Sequence, residues 1–494
     1  MTSTLPALLP IVPFVGAVLA AIASITVARA GQWIAAATVV TVTVLATWGL
    51  VRAVDVGALT HPLGGWAAPL GIEYVLDPLS GFVAVLIGVI ALFVVVYPPD
   101  VGFGLRPESG VFLYPLVLLL VGALMGVAVA GDLFNLFVSL EIYSIASYAL
   151  IALGGPAAAV ASYRYLLIGT VGSSLYLLGV GFIYFTTGTL SMETVGPALA
   201  QLTGSPTTAA AVALIVIGLG IKMAIFPLHV WLPDAHSHAP PAVAALLASV
   251  QVKVAAYALI RILLDVFGPV YVTVDVPVMT LLVWFGAAGI VVGSAMAIRQ
   301  RDIKRMLAHS TVAQLGYIAV GIGLATPLAL IGALLHVVNH AAMKALLFFV
   351  AGAVMDRAGT KKIAQYAGLG AAMPATMAAF SIAAVSMVGL PPTAGFISKW
   401  YLVSGAVEVD NWLVAIIIVA SSVMTLAYFL RVMESIWFRP PADDAPVPAT
   451  DIRESRPVIV ALVVLLAVAV IGLGLFSVVI VDQVLEPVAV RLLG

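Results

Sequence analysis

The sequence predicts an all-α polytopic membrane protein of about 14 transmembrane helices, built as a single domain over residues 1–494. Three observations predict it. The chain is 63% hydrophobic and only 9% charged, whereas a soluble protein carries roughly 25% charged residues, so lipid must be its main solvent. Apolar stretches of about 20 residues, the length that crosses a bilayer, recur from end to end. The lysines and arginines gather on alternate connections, as the positive-inside rule requires of a multi-pass chain.

Composition also excludes. The chain has no cysteine, so it holds no thiolate-ligated iron–sulfur cluster, no disulfide and no thiol nucleophile. A net charge of -1 argues against nucleic acid as a partner. The start, "MTSTLPALLPIVPF", lacks the basic n-region of a cleaved signal.

Spans are expected to begin near residues 5, 32, 78, 111, 132, 159, 208, 241, 276, 305, 327, 374, 411 and 457. The break between the fourth and fifth is short, and the tenth span is weak. Polar connections fall at 53–77, 98–110, 187–207, 353–373 and 438–456; the last, "FRPPADDAPVPATDIRESRP", reads as a surface loop. Arg29, Arg106, Arg164, "RQRDIKR" at 299–305, Arg357, Lys361, Lys362, Arg431, Arg439, Arg453 and Arg456 fall on odd-numbered connections. The other side has Arg52, Arg261 and Arg491. The odd connections are therefore expected in the cytoplasm and both termini outside, in the cytoplasmic membrane of a prokaryote.

Two spans are broken by proline beside a lysine, in "GIKMAIFPLHVWLPDAH" at 220–236 and "SMVGLPPTAGFISKW" at 386–400. Interrupted helices at corresponding places in two halves point to an ion or substrate site. The freed backbone is tolerated only where protein or water satisfies it.

Inside the spans stand Glu141, Lys222, Lys253, His336, His340, Lys344 and Lys399. A central lysine costs about 2.5–3.5 kcal/mol to insert. Four unpaired ones would cost on the order of 10 kcal/mol, comparable to the stability of a domain. They are expected to pair, to face the bundle interior or to line water. Glu141 and Lys222 are the natural pair, with Glu141 as its buried acid. Burial disfavours a lysine's charged form and a carboxylate favours it, so moving the acid would switch the lysine. The alternative is a static bridge that fixes packing. Lys253, in "ASVQVKVAAYALI", is either a relay that can exist without its proton or a lysine snorkelling to an interface.

His336, His340 and Lys344 recur at i, i+4 and i+8 in "HVVNHAAMKALLFF", on one helix face. Two such histidines can bind a metal, but no third ligand is evident, so no metal is expected. Imidazoles that titrate near neutrality suit a proton relay, and one of them can equally be a satisfied packing residue. Lys399 reads either as a terminal protonatable site or as a lysine at the solvent end of a short helix. His229, Asp234, His236 and His238 decorate the loop "FPLHVWLPDAHSHAP", as a metal site, a proton mouth or, preferably, hydrogen-bonding anchors of a re-entrant loop. His309, in "RMLAHSTVAQLGY", is open to the same readings or to proton uptake from the cytoplasm. A string of single ionisable residues suits protons better than an organic solute, which needs a pocket with several recognition groups.

"GLGIKMAIFPLHVWLPDAHSHAP", "KRMLAHSTVAQLGY", "HVVNHAAMKALLFF" and "GLPPTAGFISKW" together closely resemble the proton-conducting antiporter-like subunit family over nearly the whole chain. Its members serve respiratory complex I, membrane-bound hydrogenases and the multisubunit Mrp cation/proton antiporters. Within it the chain is most similar to the D subunits of Mrp. It lacks the long C-terminal extension of the A subunits, and "GGWAAPLGIEYVLDPLSG" is similar to the Mrp and hydrogenase branches. Lys399 stands where one complex I subunit carries Glu.

The resemblance implies two inverted five-helix repeats, spans 4–8 over 111–266 and spans 9–13 over 276–434, with spans 7 and 12 interrupted. It implies Glu141 with Lys222 as the ion pair, Lys253 as the central site, and His336 or His340 leading to Lys399. Lys344, His229, Asp234 and His309 are secondary candidates. It further implies no bound cofactor and an assembly of six or seven Mrp subunits exchanging external H+ for cytoplasmic Na+. Such a chain would be a secondary ion transporter subunit rather than an enzyme, or a translocase-type subunit if it served a redox pump.

Overall fold

In the computed structural model, residues 4–27, 29–98, 100–101, 107–200, 204–442, 444–448 and 451–494 are described; Arg106 of the charge pattern lies outside them. Among the described residues, 13 helices are long and apolar enough to cross a membrane. They are spans 1 (Leu5–Thr26), 2 (Ala30–Val56), 3 (Pro78–Val96), 4 (Pro107–Val129), 5 (Leu133–Ala152), 6 (Pro156–Thr187), 7 (Pro206–Met223), 8 (Pro241–Val266), 9 (Val278–Ile298), 10 (Ile303–Gly323), 11 (Pro327–Ala358), 13 (Trp412–Phe438) and 14 (Pro457–Leu475). Span 12 is two short helices, Pro374–Val388 and Ala394–Glu408. Span 7 likewise continues, after a break, as Trp231–His238. The expected all-α polytopic fold is the observed one.

The spans differ in what surrounds them. The apolar stretches of spans 8 and 10 are wholly buried and that of span 11 nearly so, whereas spans 1, 2, 6, 13 and 14 are mostly at the periphery. Span 10 is the least hydropathic of the set because a helix enclosed by protein needs no lipid-facing stripe. It packs on span 9 through glycine. A Cβ at Gly286 would stand 2.7 Å from the Gly316 carbonyl oxygen, the small-residue contact expected of membrane helices.

Spans 4–8 and 9–13 share a plan. Spans 6 and 11 are 32 residues each. Spans 5 and 10 both start on an aspartate N-cap, Asp132 accepting from the Phe134 and Asn135 N–H groups and Asp302 from that of Arg305. Each cap residue makes an isolated β-bridge to the chain beyond the next span, Asp132 to Ser191 and Asp302 to Lys362. An interrupted helix follows in both sets.

Several connections are more structured than the sequence pattern suggests. Helices run on into the expected connections at 53–77 and 353–373, to Val56 and Ala358. Residues 59–76 hold an antiparallel hairpin, β1 (Leu59–Pro62) with β2 (Glu73–Leu76). A helix, Met192–Leu199, lies within 187–207. The segment expected as a loop around Asp234 is instead the helix Trp231–His238.

At the foot of span 3, Asp77 and Ser80 form a reciprocal capping box. Asp77 also pairs with Arg261 and with Arg491 of the terminal helix Glu486–Leu493, at 3.1 Å for the latter. Asp265 binds the same two arginines, at 2.6 and 3.3 Å. Burial pushes the Asp77 carboxyl up, but Arg261, the Ser80 N–H and Arg491 more than offset it and hold it well below the usual carboxylate range.

Candidate functional site

The first half of span 7 ends at Met223, where Ala224 turns left-handed (φ 57°). Its last carbonyls are recovered locally. The Ala224 and Ile225 N–H groups donate to the Ile221 and Gly220 oxygens, the pattern of a Schellman cap, and Trp231 Nε1 donates to the Ile221 oxygen at 2.9 Å. Lys222 sits in this last turn, where the helix dipole favours a cation. Its Nζ is 3.4 Å from Glu141 Oε1 and donates to Ser144 Oγ at 2.6 Å. Ser173 donates to the same carboxylate oxygen. Lys222 is 1% exposed and Glu141 29%. The expected pair is present, but its acid is half-buried rather than buried. Span 5 carries Glu141 on a face that also shows Phe134, Val138 and Ile145 to the exterior.

Polar side chains that sequence reasoning did not single out continue inward. Ser147 donates to Gln251 Oε1 at 3.1 Å, and Gln251 Nε2 donates to the Tyr165 hydroxyl at 2.5 Å. Tyr165 stacks on Trp231, with ring centroids 3.8 Å apart. Gln251 closes a π-helical turn, Leu247–Gln251, inside span 8, a local rewinding that recurs at functional sites. Lys253, two residues past that turn, is fully buried and donates to the Ala248 carbonyl within it. It does not snorkel, because the whole apolar stretch of its span is covered by protein.

On span 11 the rings of His336 and His340 lie nearly parallel, with centroids 5.8 Å apart. His336 is held on both nitrogens, by Ser398 Oγ and Gln314 Oε1, each at 2.9 Å. His340 is fully buried with no protein hydrogen bond on either nitrogen, and lies within electrostatic reach of Lys253, Lys344 and His336. Lys344 donates to the Leu307 oxygen at 2.7 Å and to Ser310.

Beyond His336 stands Lys399. It is buried, not at a solvent end. From the second half of span 12 it reaches back to the first, donating to the Met387 and Val388 oxygens at 3.1 and 3.0 Å and to Ser422 Oγ at 3.0 Å. Each interrupted span therefore has a lysine at the carbonyl end of its first half.

The secondary candidates divide. Asp234 is tied to Arg164 and Arg305 at 3.2 and 3.4 Å, and its backbone oxygen lies 2.9 Å from His238 Nδ1. His309 and His229 share that end within electrostatic reach of each other. His236 points the other way. It is fully buried without a hydrogen-bond partner, within reach of Lys253, Lys344 and Lys304. The structure does not bring the four residues of this segment into one metal site; among the described residues there is no group of three or more His, Cys, Asp or Glu placed to hold a metal. What the arrangement can do is hand protons along buried side chains. Every unpartnered polar atom there costs about 1–3 kcal/mol unless water serves it.

Comparison with known proteins places this geometry. Residues 130–425 match the family described as NADH:quinone oxidoreductase/Mrp antiporter, TM. The chain is 46% identical over 435 residues, 86% of each chain, to an NADH-quinone oxidoreductase subunit N of Desulforudis audaxviator. It is 32% identical over 454 residues, 88% of each chain, to the D subunit of an Na(+)/H(+) antiporter from Alkalihalophilus pseudofirmus. A chain in the structure of the Mrp complex from Dietzia sp. superposes with a TM-score of 0.88 at 27% identity, covering 99% of this chain and 97% of that one.

Proposed function

The chain belongs to the NADH:quinone oxidoreductase/Mrp antiporter transmembrane family, and on that premise we propose that Glu141, Lys222, Lys253, His340, His336 and Lys399 are, in that order, its proton path. As a member it is a proton-translocating, antiporter-like subunit of a multisubunit membrane complex. The observation that carries the path is the place of His340. It has no protein partner of its own, and it stands among Lys253, Lys344 and His336, where the first half's lysines must be joined to Lys399. Protons hop through side chains and confined water, and the half-exposed Glu141 gates one end by holding or releasing Lys222. Spans 4–8 and 9–13 act as the two inverted repeats, over 111–266 and 276–434. Five spans separate the Asp132 and Asp302 bridges, which puts these at opposite faces. The arginine-rich odd connections face the cytoplasm and both termini lie outside.

The engine we propose is exchange of external H+ for cytoplasmic Na+ in an Mrp-type assembly of cofactor-free subunits, with this chain in the D position. Its support is the resemblance of the motifs and the full-length likeness to the Dietzia chain. A second reading has its own support. The relative at 46% identity is named a subunit of an NADH-quinone oxidoreductase, and a redox pump would use the same path with electron transfer as its driver. Purification of the tagged protein from its host in mild detergent, followed by mass spectrometry of what comes with it, decides between them. Small membrane subunits alone, with Na+-dependent H+ flux after reconstitution, support antiport. Iron–sulfur or nickel–iron partners overturn it in favour of the redox pump.

A further inference from the structure

A cleft lies beside the β-bridge of each set of spans. The cleft beside Asp132 and Ser191, of about 540 Å³, is lined by Arg261 of span 8, Asp265, Asp77 and Arg491. The cleft beside Asp302 and Lys362, of about 960 Å³, is lined by Arg431 of span 13 with Arg301, Lys361, Lys362, Arg439 and the acids Asp302 and Asp444. Arg261 and Arg431 thus hold corresponding places, each on the last span of its set beside its set's bridge.

Their partners differ. Arg261 binds Asp77 and Asp265, and Asp77 is brought by span 3, outside both sets. Arg431 donates instead to the Ile298 and Gln300 carbonyls, at 2.9 and 2.6 Å, and its buried Nε has no partner. The acids near it are engaged. Asp302 is taken by Lys361 at 3.0 Å, Asp444 by Gln365 at 3.1 Å and Glu434 by Arg439 at 3.0 Å. Among the described residues, Arg301, Lys362 and Arg431 have no carboxylate partner. Where the first cleft is completed by an anion of the chain itself, the second presents three cations to an anion from outside.

The level of the cleft identifies that anion. At the same end of span 13, Trp437 and Phe438 are exposed, the aromatic position of a membrane–water interface. Beneath them the span shows Leu430, Val423 and Val419 to the exterior, a strip for acyl chains. A basic pocket between helices at headgroup depth fits an anionic lipid. We propose that the Arg301–Lys362–Arg431 cleft binds the phosphodiester headgroup of an anionic phospholipid, with its tails along span 13. The site is separate from the proton path, and neither engine is assumed.

The test is thermal unfolding of the intact assembly, purified from its host and delipidated in detergent. Phosphatidylglycerol is expected to raise the midpoint and phosphatidylcholine not to. The rise should fall by at least half in Arg301→Gln/Lys362→Gln, whose exchanged side chains are exposed and bind no acid, and return in Lys362→Arg. Native mass spectrometry should show correspondingly less retained phosphatidylglycerol in the double variant. An equal rise in the double variant overturns the proposal. So does an equal rise with inorganic phosphate, which would make the site one for a soluble anion. A cross-link from Lys362 to another subunit that forms equally well with and without added lipid would assign the cleft to a protein partner instead.

Discussion

Lys399 lies against Gly389: a Cβ at Gly389 would stand 3.0 Å from Lys399 Cδ and 3.4 Å from its Nζ. The glycine is left-handed (φ 87°) and ends the first half of span 12. The lysine's hold on the free end carbonyls of that half depends on a residue without a side chain. Gly389→Ala is expected to cost roughly 1–2 kcal/mol for the left-handed backbone and to displace the ammonium group. Transport by the reconstituted assembly should fall at least tenfold while the subunits still co-purify. Full activity would mean that Lys399 needs no such seat.

The Glu141–Lys222 pair is unequal. Removing Glu141 leaves a lysine that is 1% exposed without its counter-charge, whereas removing Lys222 leaves a carboxylate that is 29% exposed. Both Glu141→Ala and Lys222→Ala are expected to abolish exchange without preventing assembly. Glu141→Ala should be the more destabilising, by about 3 kcal/mol, the cost of leaving a buried charge unpaired. Near-normal flux from either variant would remove the gate.

His336 and His340 should separate by stability. His336→Leu leaves Gln314 without a partner in the interior, a loss of about 1–3 kcal/mol, while Ser398 keeps the Ala394 and Gly395 oxygens. His340→Leu strands no protein group and should leave the unfolding midpoint unchanged or higher. Both should slow proton flux tenfold or more. A His340→Leu assembly that pumps normally would take that histidine out of the path.

The Asp77 cluster sets a pH limit. Its carboxyl is held below the usual range in the folded state, so the stability it gives is complete above the unfolded value, near 4. That stability is lost progressively as the pH falls from there to the folded value, below the usual carboxylate range. Melting midpoints between pH 5 and 9 should show no step from this cluster. Asp77→Asn should lower them by a similar amount throughout, about 3 kcal/mol in stability, and loosen the terminal helix that Arg491 pins.

Much of the fold and the row of charges is legible in the sequence, since apolar length alone locates a span and an ionisable residue inside one stands out. Those signals suffice to set Glu141 beside Lys222, but they leave Lys253 and Lys399 open between the interior and an interface, which the structure resolves by burying both. They mislead where the answer depends on neighbours. Glu141 is half-buried because it stands on the outward face of its span, with Phe134, Val138 and Ile145, which composition does not report. The segment around Asp234 is helical because proline stands early in Trp231–His238, where a helix tolerates it. Ser144, Ser147, Gln251, Gln314 and Ser398 do not stand out as single polar residues in apolar runs. Their pairing crosses between spans, and only the assembled bundle shows that Gln314 meets His336. His236 reads as a loop anchor because histidine near proline and aspartate commonly is one. Its burial within electrostatic reach of three lysines has no local signature.

The ionisable residues of the row stand near the middles of their spans: Glu141 in Leu133–Ala152, Lys253 in Pro241–Val266, His340 in Pro327–Ala358, and Lys222 and Lys399 at the breaks of spans 7 and 12. Charge moving along such a row travels sideways, at one depth. The membrane potential does work only on charge displaced along the bilayer normal, about 2.3 kcal/mol per elementary charge for a full crossing at 100 mV. On the proposed path, voltage therefore has no grip on the long lateral part of the journey, and acts on the short climbs at either end.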